Sequence, residues 1–145
     1  MQIMKKVHLA AIVVAGVMAM YSCGGSATQT ETASAPTTPG KATGDAVYKK
    51  TCITCHQANG EGLPNTYPPL AKSDFISDKE KTIAQVIKGY SGELTVNGKK
   101  YNSAMPAQQL NDEEVAAVLT YVYGNFGNGG TTVTADEVKA VRGKI

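Results

Sequence analysis

The chain lacks tryptophan altogether and has two phenylalanines, Phe75 and Phe126, in 145 residues. It therefore cannot build a core on large aromatics, and at this length it holds one domain at most, with extensions. Charge of one sign is also missing: 14 Lys and Arg stand against 12 Asp and Glu. This balance argues against a nucleic-acid partner, which would need a net basic footprint, and against docking dominated by a single-sign patch. There is no internal repeat. Histidine and methionine are scarce and unevenly placed. His8, Met1, Met4, Met18 and Met20 crowd the N-terminus, leaving His56 and Met105 alone in the rest.

The N-terminus accounts for that crowding. Lys5 and Lys6 form a short basic region, and residues 7–20 are a mostly apolar run too short to span a bilayer comfortably. Met20-Tyr21-Ser22-Cys23 resembles the lipobox of bacterial lipoproteins, with Met20 where leucine is usual. Residues 1–22 are thus expected to be a lipoprotein signal peptide, and Cys23 the lipidated first residue. The alternative is an ordinary signal cut elsewhere, with Cys23 removed or left as a free thiol. Losing Lys5 and Lys6 leaves the mature chain formally neutral. Residues 23–43, rich in Gly, Ser, Thr, Ala and Pro, offset too little ordering entropy to fold and are expected to form a flexible tether.

Periodicity places the folded part at residues 44–127. A short helix over 45–51 delivers Cys52, and residues 57–71, broken by Gly60, Gly62, Pro64, Pro68 and Pro69, read as loop. Ser77 or Asp78 caps a second helix with Ile83, Val86 and Ile87 on one face and Gly89 at its end. Residues 94–101 read as a hairpin about Asn97-Gly98. Asn111 and Glu114 resemble a capping box, opening a helix whose stripe is Val115, Val118, Leu119 and Val122. After the break at residues 127–130, Thr134 and Glu137 begin a short helix to about Arg142, in a tail (128–145) with no assigned role.

Cys52-Ile53-Thr54-Cys55-His56 carries the chemistry. Two thiols two residues apart, followed directly by histidine, have the spacing that attaches a c-type haem through two thioethers and offers an imidazole to the iron. One haem c is expected, held by Cys52 and Cys55. Together with lipidated Cys23 it consumes every cysteine in a compartment where thiols otherwise pair. It also supplies interior that a thin core lacks. A proximal histidine needs its second ring nitrogen hydrogen-bonded, and a backbone carbonyl in the stiff Pro68-Pro69 stretch is the expected acceptor. Met105, in Asn102-Ser103-Ala104-Met105-Pro106, is the candidate sixth ligand, a soft thioether that favours the reduced state. Its alternative is a core methionine. Tyr48 and Tyr121 read as packing residues at a helix crossing. Tyr67, Tyr90 and Tyr101 are candidates to reach propionates or the methionine sulfur, with nothing to choose among them. A thiol–disulfide pair is the rival reading of the cysteines, but the strand–helix–strand pattern it needs is missing.

With these residues in place, the chain resembles a class I cytochrome c over residues 44–126. Gly44 and Tyr48, eight and four residues before Cys52, match the small and aromatic positions of the first helix, and Val118 and Tyr121 their partners on the last. Pro68-Pro69-Leu70 resembles the Pro-x-Leu stretch, with Pro68 in register to accept the histidine's proton and Leu70 against the haem. Ser103-Ala104-Met105-Pro106 matches the distal-methionine loop. Gly60-x-Gly62-x-Pro64, Tyr67-Pro68-Pro69-Leu70-Ala71 and Thr95-Val96-Asn97-Gly98-Lys99-x-Tyr101-Asn102 are similar to cytochrome c domains joined to copper nitrite reductases or serving periplasmic dehydrogenases and oxidases. The resemblance implies an all-α fold of three to four helices around a covalent haem, with a minor hairpin. The lysine-rich face of mitochondrial cytochrome c is absent.

The expectation is a lipid-anchored electron carrier on the periplasmic side of a bacterial membrane, with no catalysed reaction of its own. It would move single electrons from a membrane donor to a periplasmic or membrane acceptor, as a monomer or as a subunit of a complex. The alternative is a small-ligand-binding or peroxidase-like haem protein with a labile Met105. A distal region without a second histidine for acid–base work on peroxide argues against it.

Overall fold

The computed structural model describes residues 42–145. The signal peptide, Cys23 and nearly all of the tether (23–43) lie outside the described residues. Five α-helices and one antiparallel hairpin follow in the order α1 (Gly44–Thr51), α2 (Ile53–His56), a 3-10 turn (Phe75–Ser77), α3 (Lys79–Lys88), β1 (Leu94–Val96), β2 (Lys99–Tyr101), α4 (Asp112–Asn125) and α5 (Ala135–Arg142). The fold is mostly helical, as expected. Four of the helices lie within residues 44–127, the Cys-x-x-Cys-His segment forming its own turn as α2, and α5 is the short helix expected in the tail.

Local chemistry explains most of the boundaries. Thr43 caps α1 through its side-chain oxygen, a role unassigned in the sequence. Asp78, rather than Ser77, caps α3 by accepting from the Lys81 N–H. Asn111 and Glu114 close a full capping box on α4, and Thr134 and Glu137 another on α5. The hairpin pairs Leu94 with Tyr101 and Val96 with Lys99. Its turn places Asn97 at φ 50° and Gly98 at φ 75°, the two positive angles of a type I′ turn.

The core forms where α1 crosses α4. Gly44 makes the crossing possible, since a Cβ there would stand 2.2 Å from the Ala117 carbonyl oxygen and 2.7 Å from Tyr121 Cβ. Tyr48 packs its ring 5.5 Å from Tyr121 and 5.1 Å from Phe126, centroid to centroid, and donates its hydroxyl to the Gln57 carbonyl at 2.7 Å. Burial, and then the nearby Cys52 and Tyr121, raise the Tyr48 phenol far above its ordinary pKa, so it stays neutral. These tyrosines are packing residues, as read from the sequence.

The tail is not an appendage. Val133, Val138 and Val141 are buried in the same cluster as Val115, Val118 and Val122. Ion pairs Lys79–Glu137, Lys144–Glu80 and Arg142–Asp112 fasten α5 to α3 and to the start of α4. The division drawn at Gly127 therefore cuts through one hydrophobic core. The apolar positions of α5 are too few to announce their burial in the sequence.

Candidate functional site

One cleft of about 1180 Å³, part of it open to solvent, collects the residues singled out by sequence. Cys52, Cys55, His56, Pro68, Leu70 and Met105 all line it. Cys23 lies outside the described residues.

The near wall is built by α2. Cys55 and His56 both bond back to the Cys52 carbonyl, at 3.3 and 2.9 Å, so one helical turn presents the two thiols and the imidazole together. Burial pushes the Cys52 thiol above its ordinary pKa, against a smaller opposing contact from the Thr51 hydroxyl at 3.4 Å. Redox-active thiol pairs need the opposite shift, toward thiolate. No disulfide occurs among the described residues, and both thiols are half-buried.

His56 is buried, at 9 % exposure, and its Nδ1 stands 3.0 Å from the Pro68 carbonyl oxygen. A carbonyl only accepts, so Nδ1 carries the proton and Nε2 keeps its lone pair. Burial lowers the imidazole pKa, and the Pro68 bond opposes this only in part. The ring is thus held neutral, as a metal ligand must be. Of the two prolines left open by residue reading, Pro68 supplies the acceptor. Gly62 makes room for it: at φ 67°, a Cβ would lie 2.4 Å from the Tyr67 oxygen and 2.6 Å from the Pro68 oxygen. In the sequence Gly62 reads merely as a loop former.

The far wall carries Met105, on a loop pinned to the end of α3. Tyr90 and Met105 exchange two backbone hydrogen bonds of 2.8 Å each, and the Gln108 N–H reaches the Val86 carbonyl at 3.0 Å. Gly89, at φ 74°, both ends α3 and lets this loop approach, since a Cβ would stand 2.5 Å from the Met105 oxygen. Ser103 donates to the Thr66 carbonyl, tying the far loop to the near one. Tyr67, Tyr90 and Tyr101 all line the cleft. Tyr90 spends its hydroxyl on the Glu93 carbonyl at 2.8 Å.

Val86, Leu94, Val96, Val118 and Leu119 complete largely apolar walls. The Ser73 hydroxyl is buried in this lining without a partner, a state that costs free energy. A large apolar group carrying a few polar substituents, covalently reachable by two thiols and flanked by a neutral imidazole and a thioether, fits this donor set.

The comparison with protein families agrees with that chemistry: residues 41–125 match the family described as Cytochrome c. The chain belongs to the cytochrome c family. Members carry covalently attached haem c and transfer electrons. Cytochrome c-552 of Thermus thermophilus is 37 % identical over 115 residues, spanning 72 % of this chain and 87 % of the relative. The fructose dehydrogenase cytochrome subunit of Gluconobacter japonicus is 33 % identical over 109 residues. The gluconate 2-dehydrogenase cytochrome c subunit of Pantoea cypripedii is 34 % identical over 105. The alignments cover 22 % and 24 % of those two subunits, so this cytochrome matches only one portion of each.

Sequence reasoning passed over Thr43, Ser73, Gly89 as a site residue, and Asn128. Thr43, four residues ahead of an apolar pair, carried a capping signal. The others act through contacts made at long range.

Proposed function

We propose that this cytochrome is a lipid-anchored electron carrier facing the periplasm, holding one haem c through Cys52 and Cys55, with His56 and Met105 as axial ligands. The observation that carries this reading is the gathering of both thiols, the one histidine and the one methionine of residues 42–145 on a single apolar cleft. When bound, haem c supplies an iron that exchanges one electron between ferrous and ferric states.

The chain's own residues do the rest. Pro68 holds the Nδ1 proton of His56, which orients the ring and raises the basicity of Nε2. Met105 offers a soft sulfur that favours the reduced state, on a loop whose backbone is ladder-bonded to Tyr90 and so keeps its place. The largely apolar lining would shield a bound haem from most water, limiting the rearrangement that each change of charge demands. The cytochrome subunits of dehydrogenases among the relatives support a carrier without catalysis. His56 is the sole histidine of the described residues, which disfavours peroxidase-like chemistry.

Lipidation of Cys23 would keep the haem near membrane partners and raise its effective concentration toward millimolar. The dehydrogenase subunits among the relatives support a donor or acceptor of that kind, with this chain acting alone or inside a complex. A near-neutral surface is consistent with weak docking of modest salt sensitivity.

The test is an optical spectrum of the purified mature protein, oxidised and reduced. Sharp low-spin ferrous peaks and a weak far-red sulfur-to-iron band in the ferric form are expected. A high-spin spectrum without that band, and immediate carbon monoxide binding by the reduced form, would remove Met105 as ligand. Intact mass then tests the anchor: lipid should disappear from Cys23→Ser, which should leave the membrane fraction.

A further inference from the structure

Asn128 lies beyond the stretch 41–125 that matches the family, yet its side chain reaches back across the fold to the near wall of the cleft. Its Oδ1 accepts the Ser73 N–H at 3.1 Å, and its Nδ2 donates to the Leu70 carbonyl at 2.9 Å and the Val122 carbonyl at 3.2 Å. One donor and two carbonyls fit only one orientation of the amide, so all three bonds are satisfied together. Beside it, the Lys72 N–H donates to the Phe126 carbonyl at 2.9 Å, with Lys72 in the left-handed region at φ 49°.

These bonds close a segment that is otherwise held from its other end. Pro68 and Pro69 have fixed φ, and the Leu70 and Ala71 N–H groups both donate to the Gly60 carbonyl, at 2.7 and 2.9 Å. Asn128 secures the remaining carbonyl of Leu70 and amide of Ser73. Residues 68–73 are thereby clamped between the Gly60 loop and the end of α4. The carbonyl at the start of that segment is the one that holds His56.

We infer that Asn128 is a positioning residue for the proximal ligand, locking residues 70–73 so that the Pro68 carbonyl keeps its bond to His56 Nδ1. The inference rests on the reading of His56 as an axial ligand. Without the amide, the Leu70 carbonyl and Ser73 N–H are left unpaired and the segment relaxes. The Pro68–His56 bond then weakens, the imidazole donates less to the iron, and the ferric state loses support.

The experiment uses the haem-loaded protein as wild type, Asn128→Ala, Asn128→Asp and Thr134→Ala. The aspartate keeps an acceptor for Ser73 but sets a carboxylate against two carbonyls. Thr134→Ala weakens the α5 cap without touching the near wall. Both Asn128 variants should raise the reduction potential and speed hydrogen exchange of the His56 Nδ1 proton in the ferrous form by about ten-fold, the scale of one lost buried hydrogen bond. Thr134→Ala should lower the unfolding midpoint and leave both readouts in place. If the Asn128 variants shift only the unfolding midpoint, the inference is overturned.

Wild-type exchange decides the matter if neither variant takes up haem. The Ser73 N–H and the His56 Nδ1 proton should then exchange through one shared opening, within about ten-fold of each other. A Ser73 opening faster than that, with His56 still protected, overturns the inference. A wild-type protein without a haem spectrum would sink the axial-ligand reading as well, whereas an intact wild-type spectrum with silent variants sinks the inference alone.

Discussion

The two walls of the cleft present their candidate ligands in opposite ways. The near wall comes from consecutive residues: Cys52, Cys55 and His56 share one helical turn, and the Pro68 carbonyl is twelve residues downstream of His56. It is then tied in depth, through the Gly60 carbonyl, the Gly62 N–H donating to the His56 carbonyl, and the Asn128 amide. The far wall holds Met105 on a loop with fewer ties, chiefly the Tyr90 pair, Gln108 to Val86 and Ser103 to Thr66. The difference predicts that disturbance will reach the far ligand first. The near ligand should be lost only when the fold itself gives way.

Matched glycine substitutions give the sharpest way to break this contrast. Gly62→Ala forces a left-handed alanine and a backbone clash against the Tyr67 and Pro68 carbonyls. It should cost about 3 kcal/mol or more, through conformational strain and overpacking together. Chemical denaturation of the haem-loaded protein checks this, and a loss under 1 kcal/mol (about the size of an ordinary surface change) would refute the rigidity assigned to the near wall. Gly89→Ala imposes the same strain beside the Met105 carbonyl. Here a smaller stability loss, about 2 kcal/mol, should come with a weakened far-red band and carbon monoxide binding by the reduced form. An unchanged band with a large global loss would reverse the ranking of the two walls.

Arg142 allows a gentler perturbation. Its guanidinium donates to the Leu110 carbonyl at 3.0 Å and to Asp112 at 2.7 Å, where the Met105 loop runs into α4. Arg142→Ala should cost about 1 kcal/mol, since the pair is partly exposed, and should quicken carbon monoxide binding more than it changes the His56 Nδ1 proton. Equal effects on both walls would show that α5 braces them alike.

The smallest effect is one of pH. Hydrogen bonding from the Lys79 ammonium, and then from the Thr134 N–H, holds the Glu137 carboxyl down to about 2 from its ordinary 4.5. A depressed carboxyl stabilises the fold above its unfolded pKa, and that contribution is lost as pH falls from about 4.5 through about 2. Glu137→Gln should flatten the stability profile in that window without moving either ligand's spectrum. Because the pair is half-exposed, added salt should shrink the difference.

Much of the fold was legible because its signals are local. A capping box spans four residues, a type I′ turn two, and the haem-attachment spacing five, so each is complete within a short window of chain. Asn97-Gly98, Asn111 with Glu114, and Thr134 with Glu137 appear in the structure as read, and Cys52, Cys55 and His56 stand together on one cleft. The capping residue of α3 and the choice between Pro68 and Pro69 needed geometry, because neighbouring residues offered the same chemistry. The burial of the tail stayed open because Val133, and Val138 and Val141 on α5, stand in a polar segment and signal a core only once another surface covers them.

The sequence alone determined which residues are candidates for a nitrogen and a sulfur ligand: beyond the N-terminal segment, one histidine and one methionine exist to be used. Scarcity names the candidates without coordinates. Tertiary structure alone decided that both stand on one cleft, that Gly62 and Gly89 admit the two loops, and that Asn128 reaches the near wall. Those relations join residues far apart in the chain, and only packing brings their backbones within bonding distance.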